Sequence, residues 1–340
     1  MYIILKNSAT SQEIETLKSY IINNGHGVIE TTDYNVKKIG IMGKNGGVTK
    51  ESLKKFSIVD EVVKIGKPFK FVSSEFKSEP SIIEVKGRKI GGDNMVIMAG
   101  PCSIENREMI LETAKVIKEN GCEYLRGGAY KPRTSPYDFQ GLGEEGLKYM
   151  REAANKYDLV MVTEVMDTRE IEIVGQYTDI FQVGARNMQN FSLLKELGKT
   201  DKPILLKRGM SATLRDFLMA AEYIVAFGNK NVILCERGIR TFEIATRNTV
   251  DINGIALLKE KCHLPIIIDA SHGTGKRSLV EPVTIGCILA GADGAMIEVH
   301  ANPKCALSDG DQTLNYKDFG KTCEKIKKTL AFRKELKEIN

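Results

Sequence analysis

From Met95 to the C-terminus the chain repeats one pattern. A short apolar run closes on polar or charged residues, and an amphipathic helical stretch follows. The runs are Met95–Ala99, Glu123–Arg126, Leu159–Glu164, Ile180–Val183, Ile204–Lys207, Val232–Glu236, Ile266–Asp269 and Ala295–Val299. Near-continuous apolar runs of this length read as strands covered on both faces, and their alternation with helices makes the strands parallel. Eight such units match the usual size of a (β/α)8 TIM barrel, about 250 residues. A doubly wound open sheet is the competing α/β arrangement, but no G-x-G-x-x-G follows the first run. The units repeat in structure only, without repeating in sequence.

The unusual polar residues sit at one end of these units. Cys102 follows the first run, Arg126 and Lys131 the second, and Glu164 ends the third. Arg186 follows the fourth, Lys207 and Arg208 close the fifth, and Glu236 with Arg237 closes the sixth. Asp269 and His272 come with the seventh, Glu298 and His300 with the eighth. In a barrel all of these converge on the C-terminal face, where active sites of such enzymes lie.

Ahead of the barrel, residues 1–66 read as strand, helix, strand, strand, short helix, strand. The segments are Tyr2–Lys6, Ser11–Asn23, Gly27–Thr32, Lys38–Met42, Lys50–Phe56 and Asp60–Ile65. A βαββαβ order is the ferredoxin-like arrangement and suits a small separate domain. Residues 67–93 then form a linker, opened by Gly66-Lys67-Pro68, and a hairpin of Ile82–Val85 with Arg88–Ile90 around Gly87. The barrel occupies 94–340.

Composition narrows the class further. An apolar fraction of 42% and a net charge of +5 belong to an ordinary globular chain, with basic residues spread among acidic ones. That favours small anionic ligands over nucleic acid. No apolar run reaches the roughly 18 residues a membrane span needs. The seven cysteines include no C-x-x-C pair, which fits a reducing cytoplasm better than a disulfide framework.

Two sets of residues carry chemistry. Arg126, Lys131, Arg133, Arg186, Lys207 and Arg237 are cations around one mouth; empty, they would repel, so the ligands should bring several negative charges. One or two of them are expected to pair instead with Glu164, Glu236 or Asp269. The segment Leu125-Arg126-Gly127-Gly128-Ala129-Tyr130-Lys131-Pro132-Arg133-Thr134-Ser135 concentrates three cations with glycines that permit close backbone approach and a stiffening proline. The second set is Cys102, His272, Glu298 and Asp309, whose mixed soft and hard donors suit one divalent ion such as Mn, Fe, Co or Zn. A buried structural thiol is the competing reading of Cys102. His300 reads as a supporting or structural residue, and His26 and His263 have no site context.

These motifs resemble the 3-deoxy-D-arabino-heptulosonate 7-phosphate (DAHP) synthases, in the form with an N-terminal ferredoxin-like domain. The likeness runs through Ala99-Gly100-Pro101-Cys102-Ser103, the 125–135 segment, Gly184-Ala185-Arg186-Asn187, Leu206-Lys207-Arg208-Gly209, Cys235-Glu236-Arg237-Gly238 and Ala306-Leu307-Ser308-Asp309-Gly310. One departure is Ala270, beside the metal histidine, where the family usually has proline.

The resemblance implies condensation of phosphoenolpyruvate with erythrose 4-phosphate, the entry to aromatic amino-acid synthesis. It puts the phosphoenolpyruvate phosphate on Arg186 and Arg237, and its carboxylate end among Arg126, Lys131 and Lys207. The sugar phosphate falls to Arg133, Thr134 and Ser135, and the metal to Cys102, His272, Glu298 and Asp309. Lys131 is then the candidate proton donor, and Glu164 and Lys207 are candidates to orient water. Tyrosine or phenylalanine is the expected effector, acting through residues 1–66 of a homotetramer. The rivals are 3-deoxy-D-manno-octulosonate 8-phosphate synthase, whose loop carries an alanine-asparagine pair where this chain has Pro132 alone, and a non-catalytic aromatic amino-acid sensor.

Overall fold

Eight parallel strands close on themselves at the centre of the molecule. The computed structural model describes residues 1–43, 47–133 and 135–339. An antiparallel sheet comes first, built from β1 (Tyr2–Leu5), β2 (Gly27–Asp33), β3 (Val36–Met42) and β4 (Val59–Val63) in the order β2-β3-β1-β4. Helices α1 (Ser11–Asn23) and α2 (Lys50–Leu53) complete the βαββαβ order. Thr10 starts α1 with a capping box to Glu13, and Ile14, Leu17 and Ile21 at helical spacing bury against Ile3, Ile39 and Ile41.

The other face of this sheet rests on the linker. Tyr2 meets Phe76 edge-on at 5.5 Å, and Phe71 meets Phe76 at 5.3 Å. The linker is fixed to the barrel by a buried carboxylate: Glu222 accepts the backbone N–H groups of Phe71 and Val72 at 2.9 and 3.1 Å. His263, which the sequence left without context, belongs to this joint, its Nε2 lying 2.7 Å from the Phe71 carbonyl.

Next come the hairpin strands β5 (Ile83–Val85) and β6 (Arg88–Ile90). Their apolar residues do more than connect: Ile83, Val85 and Ile90 share one buried cluster with the residues inside the barrel. The hairpin is the floor of the barrel.

The barrel strands are β7 (Val96–Gly100), β8 (Tyr124–Arg126), β9 (Val160–Glu164), β10 (Ile180–Val183), β11 (Ile204–Lys207), β12 (Val232–Glu236), β13 (Ile266–Asp269) and β14 (Gly294–Glu298). They pair in parallel and in order, with β14 closing on β7. Four of the eight strands begin and end where the apolar runs do, β8 and β9 start one residue later, and β7 and β14 are shifted by one residue. Around them lie α3 (Arg107–Glu119), α4 (Glu144–Lys156), α5 (Ile171–Tyr177), α6 (Phe191–Leu197), α7 (Leu214–Ala226), α8 (Ile252–Lys261), the short α9 (Ala270–Thr274), α10 (Arg277–Leu289) and α11 (Tyr316–Glu338).

Side chains alternate along each strand, so parity decides which face a residue serves. Met98, Tyr124, Val162, Leu205, Ile233, Cys235, Ile267 and Met296 fill the interior, while Ala99, Leu125, Met161, Leu206, Leu234, Ile268 and Ile297 pack outward with helix residues. Continuing the inward parity one step past the last apolar layer gives Arg126, Glu164, Lys207, Arg237, Asp269 and Glu298.

Candidate active site

Those six inward positions floor the mouth of the barrel. Glu164, Lys207 and Arg237 of these, with Lys131, Pro132, Arg133, Asp138, Gly184, Ala185, Arg186, Arg247, His272 and Asp309, line one cavity of about 250 Å³.

Gly100 lets the first ligand loop form. Its φ is +151°, and a Cβ there would lie 1.9 Å from the Arg126 carbonyl oxygen, so only glycine permits this approach of β7 to β8. The chain then turns through Pro101 to Cys102. Gly128 makes room for the site's own residues: a Cβ there would sit 3.0 Å from Lys131 Cδ and 3.1 Å from the Cys102 carbonyl. The loop glycine expected to admit ligand thus admits lysine.

Cys102, His272, Glu298 and Asp309 come together, each offering one donor atom within 4.8 Å of the others. Cys102 Sγ is 3.1 Å from Asp309 Oδ2, and His272 Nε2 stands 3.5 Å from Glu298 Oε1 and 3.6 Å from Asp309 Oδ2. Burial, then the Glu298 charge, pushes the Cys102 thiol up to about 12. For Asp309, burial works against ionisation, but His272 and Arg247 hold the carboxyl well below the usual range. Asp309 has left-handed backbone, φ +52°, an unusual conformation for a non-glycine that places its carboxylate over the cluster.

His272 is aimed by Asp269. Asp269 caps α9 by accepting the His272 backbone N–H at 3.0 Å, and its Oδ2 lies 2.8 Å from His272 Nδ1. With Nδ1 donating to the carboxylate, Nε2 is left with its lone pair toward the cluster. The same Oδ2 is 2.5 Å from Lys207 Nζ. Burial alone would raise the Asp269 carboxyl, yet His272 and Lys207 drive it far below its ordinary value. Ala270 is the first residue of α9, where proline is favoured for its fixed φ but alanine is an excellent helix former. The departure from the family pattern leaves the cap in place.

The cations divide by parity. Lys207 pairs with Asp269 as expected for one of the set. Arg208 and Glu236 have outward parity and pair with each other at 2.9 Å, with Asp251 at 2.8 Å as a third member, away from the mouth. Arg126 differs from expectation in its partners: it is buried, donates to the Pro101 carbonyl at 2.7 Å and pairs with Glu298 at 3.2 Å. It braces the cluster from below and does not line the cavity.

Lys131 Nζ sits 3.0 Å from both the sulfur and the carbonyl oxygen of Cys102. Arg133 holds two long contacts to Asp138, at 3.3 and 3.4 Å. Arg186 is exposed and has no ion pair among the described residues, and the buried Nη1 of Arg237 has no hydrogen-bond partner. Burial lowers the Arg237 guanidinium, with Asp269 opposing. Ser135 is occupied in a local turn, its Oγ accepting from Tyr137 N–H at 3.2 Å, and does not line the cavity. Thr134 lies outside the described residues. His300 is structural, its Nδ1 accepting from Asn302 N–H at 3.0 Å.

Sequence reasoning missed Arg247 and Gln312. Arg247 lies deep in the loop after β12, far from any strand end, and Gln312 follows Asp309 without a motif of its own. Only the folded loops bring them to the cluster.

A sequence profile of the DAHP synthetase I family matches residues 75–334. The chain belongs to that family. A phospho-2-dehydro-3-deoxyheptonate aldolase of Thermotoga maritima is 46% identical over 96% of this chain and 97% of its own length. The crystal structure of the Thermotoga maritima DAHP synthase superposes with a TM-score of 0.77 at 45% identity, covering 96% of both chains. A 2-dehydro-3-deoxyphosphooctonate aldolase of Syntrophobacter fumaroxidans is more distant, 30% identical over 72% of this chain and 90% of its own.

Proposed function

We infer that this chain is a working 3-deoxy-7-phosphoheptulonate synthase, joining phosphoenolpyruvate to erythrose 4-phosphate with water and releasing phosphate at the first step of the shikimate pathway. The observation that carries this reading is the cavity itself. Arg186, with no ion pair among the described residues, Arg237, with its buried Nη1 unpartnered, and weakly held Arg133 offer open cationic positions for the two phosphates. A sensor that had given up turnover would have no use for the donor cluster beside them.

Cys102, His272, Glu298 and Asp309 fit a divalent cation. Three potential anions and one imidazole nitrogen with its hydrogen on the far side converge within 4.8 Å. When bound, such an ion supplies Lewis acidity to an aldehyde oxygen. The chain's own groups do the rest. Arg186 and Arg237 hold the phosphoenolpyruvate phosphate, and Lys131 with Lys207 faces its carboxylate, Arg126 bracing them from beneath. Arg133, with Thr134 and Ser135 of the same loop, takes the sugar phosphate. Carbon three of the enol ether attacks the aldehyde carbon, and Lys131 donates a proton to the new alkoxide. Burial works to lower the Lys131 ammonium, but Cys102 and the Glu164 carboxylate together raise it above its ordinary value. Glu164, held by Gln182 at 3.0 Å, and Lys207 orient the water that adds to carbon two before phosphate departs.

Pro132 alone separates Lys131 from Arg133, which favours the four-carbon sugar over the five-carbon one. The test is phosphate release from phosphoenolpyruvate with each four- and five-carbon aldose phosphate. Turnover with erythrose 4-phosphate alone is expected, and preference for arabinose 5-phosphate would overturn the assignment.

Residues 1–66 are assigned a regulatory role, with tyrosine or phenylalanine binding between these units in a cytoplasmic homotetramer. The support is that none of their described residues lines the cavity. Deleting them should leave catalysis and abolish inhibition by either amino acid, at a cost in solubility because Phe71 and Phe76 lose their cover. Inhibition that survives the deletion would rule this out.

A further inference from the structure

Each carboxylate of the cluster has one oxygen turned inward and one held from outside. Glu298 Oε1 faces His272 Nε2 at 3.5 Å and accepts from Arg126 Nη1 below it at 3.2 Å, while its Oε2 accepts from Gln312 Nε2 at 2.6 Å. Asp309 Oδ2 faces Cys102 and His272 at 3.1 and 3.6 Å, while its Oδ1 accepts from Arg247 Nη1 at 3.2 Å. The two outer donors are themselves joined: Arg247 Nη1 also donates to Gln312 Oε1 at 3.0 Å. Only one orientation of the Gln312 amide satisfies both neighbours, since Glu298 can only accept and Arg247 can only donate.

We propose that Arg247 and Gln312 form a bracket of positioning residues that makes Glu298 and Asp309 monodentate ligands. With one oxygen of each carboxylate engaged from behind, a cation between the inner atoms meets one sulfur, one nitrogen and two oxygens, leaving room for substrate. Without the bracket, each carboxylate loses the hold on its outer oxygen, Glu298 keeping only the Arg126 contact to its inner one, and can turn to offer both oxygens, filling the position the substrate needs. Neither residue is a ligand, and Arg247 comes from the loop between β12 and α8, which contributes no ligand at all. That loop also lines the cavity, so the arginine that sets the ligand geometry is itself within reach of what binds there. The backbone around Gln312 is held independently: Arg277 donates to the carbonyls of Gly310 and Thr313 at 3.1 and 2.7 Å.

Charge and geometry predict opposite effects for Arg247. As a mere positive charge beside a cation site it repels the ion, and removing it tightens binding. As a bracket it orients ligands, and losing the fixed, planar directions of the two Nη1 hydrogens weakens binding even when the charge is kept. Arg247→Lys separates the two.

This inference rests on the reading of the cluster as a metal centre. The experiment titrates Co(II) alone into metal-free full-length enzyme, following the thiolate charge-transfer band for affinity and the ligand-field bands for coordination number. Wild type should bind cobalt with the intense ligand-field absorption of low coordination. Arg247→Lys and Gln312→Met should each weaken binding about 10- to 100-fold, with weaker bands as coordination number rises. The double variant should be no worse than the poorer single within about twofold, as parts of one unit behave. Because Arg247 is exposed, its variant stays informative even if the buried Gln312→Met unfolds. Arg247→Lys with wild-type affinity and spectrum, tighter binding by Arg247→Ala, or multiplying losses in the double variant would each overturn the bracket. A wild type that binds no cobalt would overturn the metal centre and the bracket with it.

Discussion

Asp269→Asn is the sharpest test of how the site is held. Asp269 and Lys207 are almost wholly buried, 0% and 5% exposed at their side chains, and 2.5 Å apart. Removing one member of such a pair strands the other charge, which costs about 3–5 kcal/mol, far more than the pair's net worth. Asparagine keeps the size and one acceptor, so packing changes little and the loss is electrostatic. Its amide nitrogen in the place of Oδ2 would set donor against donor with Lys207 and disturb the tautomer that leaves His272 Nε2 free, and in the place of Oδ1 would oppose the His272 backbone N–H. Urea titration of metal-free protein should show the full 3–5 kcal/mol. Asp269→Asn with Lys207→Met should recover most of it, because the stranded charge is gone. A single-variant loss below about 1 kcal/mol, or a double variant weaker than the single, would refute the account of this pair.

Two further outcomes follow from the loop and the linker. Arg133→Ala should raise KM for erythrose 4-phosphate about 10- to 150-fold through loss of a charge-assisted contact of ~1.5–3 kcal/mol, with KM for phosphoenolpyruvate little changed; equal changes in steady-state kinetics would move Arg133 into general loop architecture. Asp33 joins the first sheet to the linker by accepting Lys38 Nζ at 2.6 Å and the N–H groups of Ser78 and Glu79 at 3.0 and 2.8 Å. Burial alone would raise its carboxyl, but these donors bring it down to about 2. A carboxyl lowered by folding stabilises fully above its unfolded value near 4 and loses that contribution as pH falls from about 4 to 2, here roughly 2 kcal/mol. Hydrogen exchange across residues 67–82 should therefore speed up through that window in the wild type and be fast at all pH in Asp33→Asn; identical profiles would refute the role.

Much of this site was legible because a barrel obeys a parity rule. A residue at the end of a buried strand either continues the inner face or the outer one, and the apolar residues before it say which. Lys207, Asp269 and Glu298 could be placed from Leu205, Ile267 and Met296 alone. The same rule explains why Arg208 and Glu236, equally polar in sequence, became a structural pair. What parity cannot reach is loop geometry. Arg247 and Gln312 touch the cluster only because two long loops fold back over the mouth, and Arg126 chose Glu298 because both point to the barrel axis from strands on either side of β7. The floor of the barrel escaped notice for a related reason. Ile83, Val85 and Ile90 look like any short hairpin until the barrel closes and leaves the open end they plug.

The central claim is that the four-residue cluster and the surrounding cations make one metal-dependent condensing site. The most direct measurement is phosphate release from phosphoenolpyruvate and erythrose 4-phosphate by the wild type and Cys102→Ser, after exhaustive chelation and again after adding a divalent metal. The account predicts no turnover in the chelated wild type, recovery on adding metal, and a Cys102→Ser enzyme that stays folded but needs much more metal to recover. Undiminished turnover after chelation, or a Cys102→Ser variant with the metal requirement of the wild type, would contradict it.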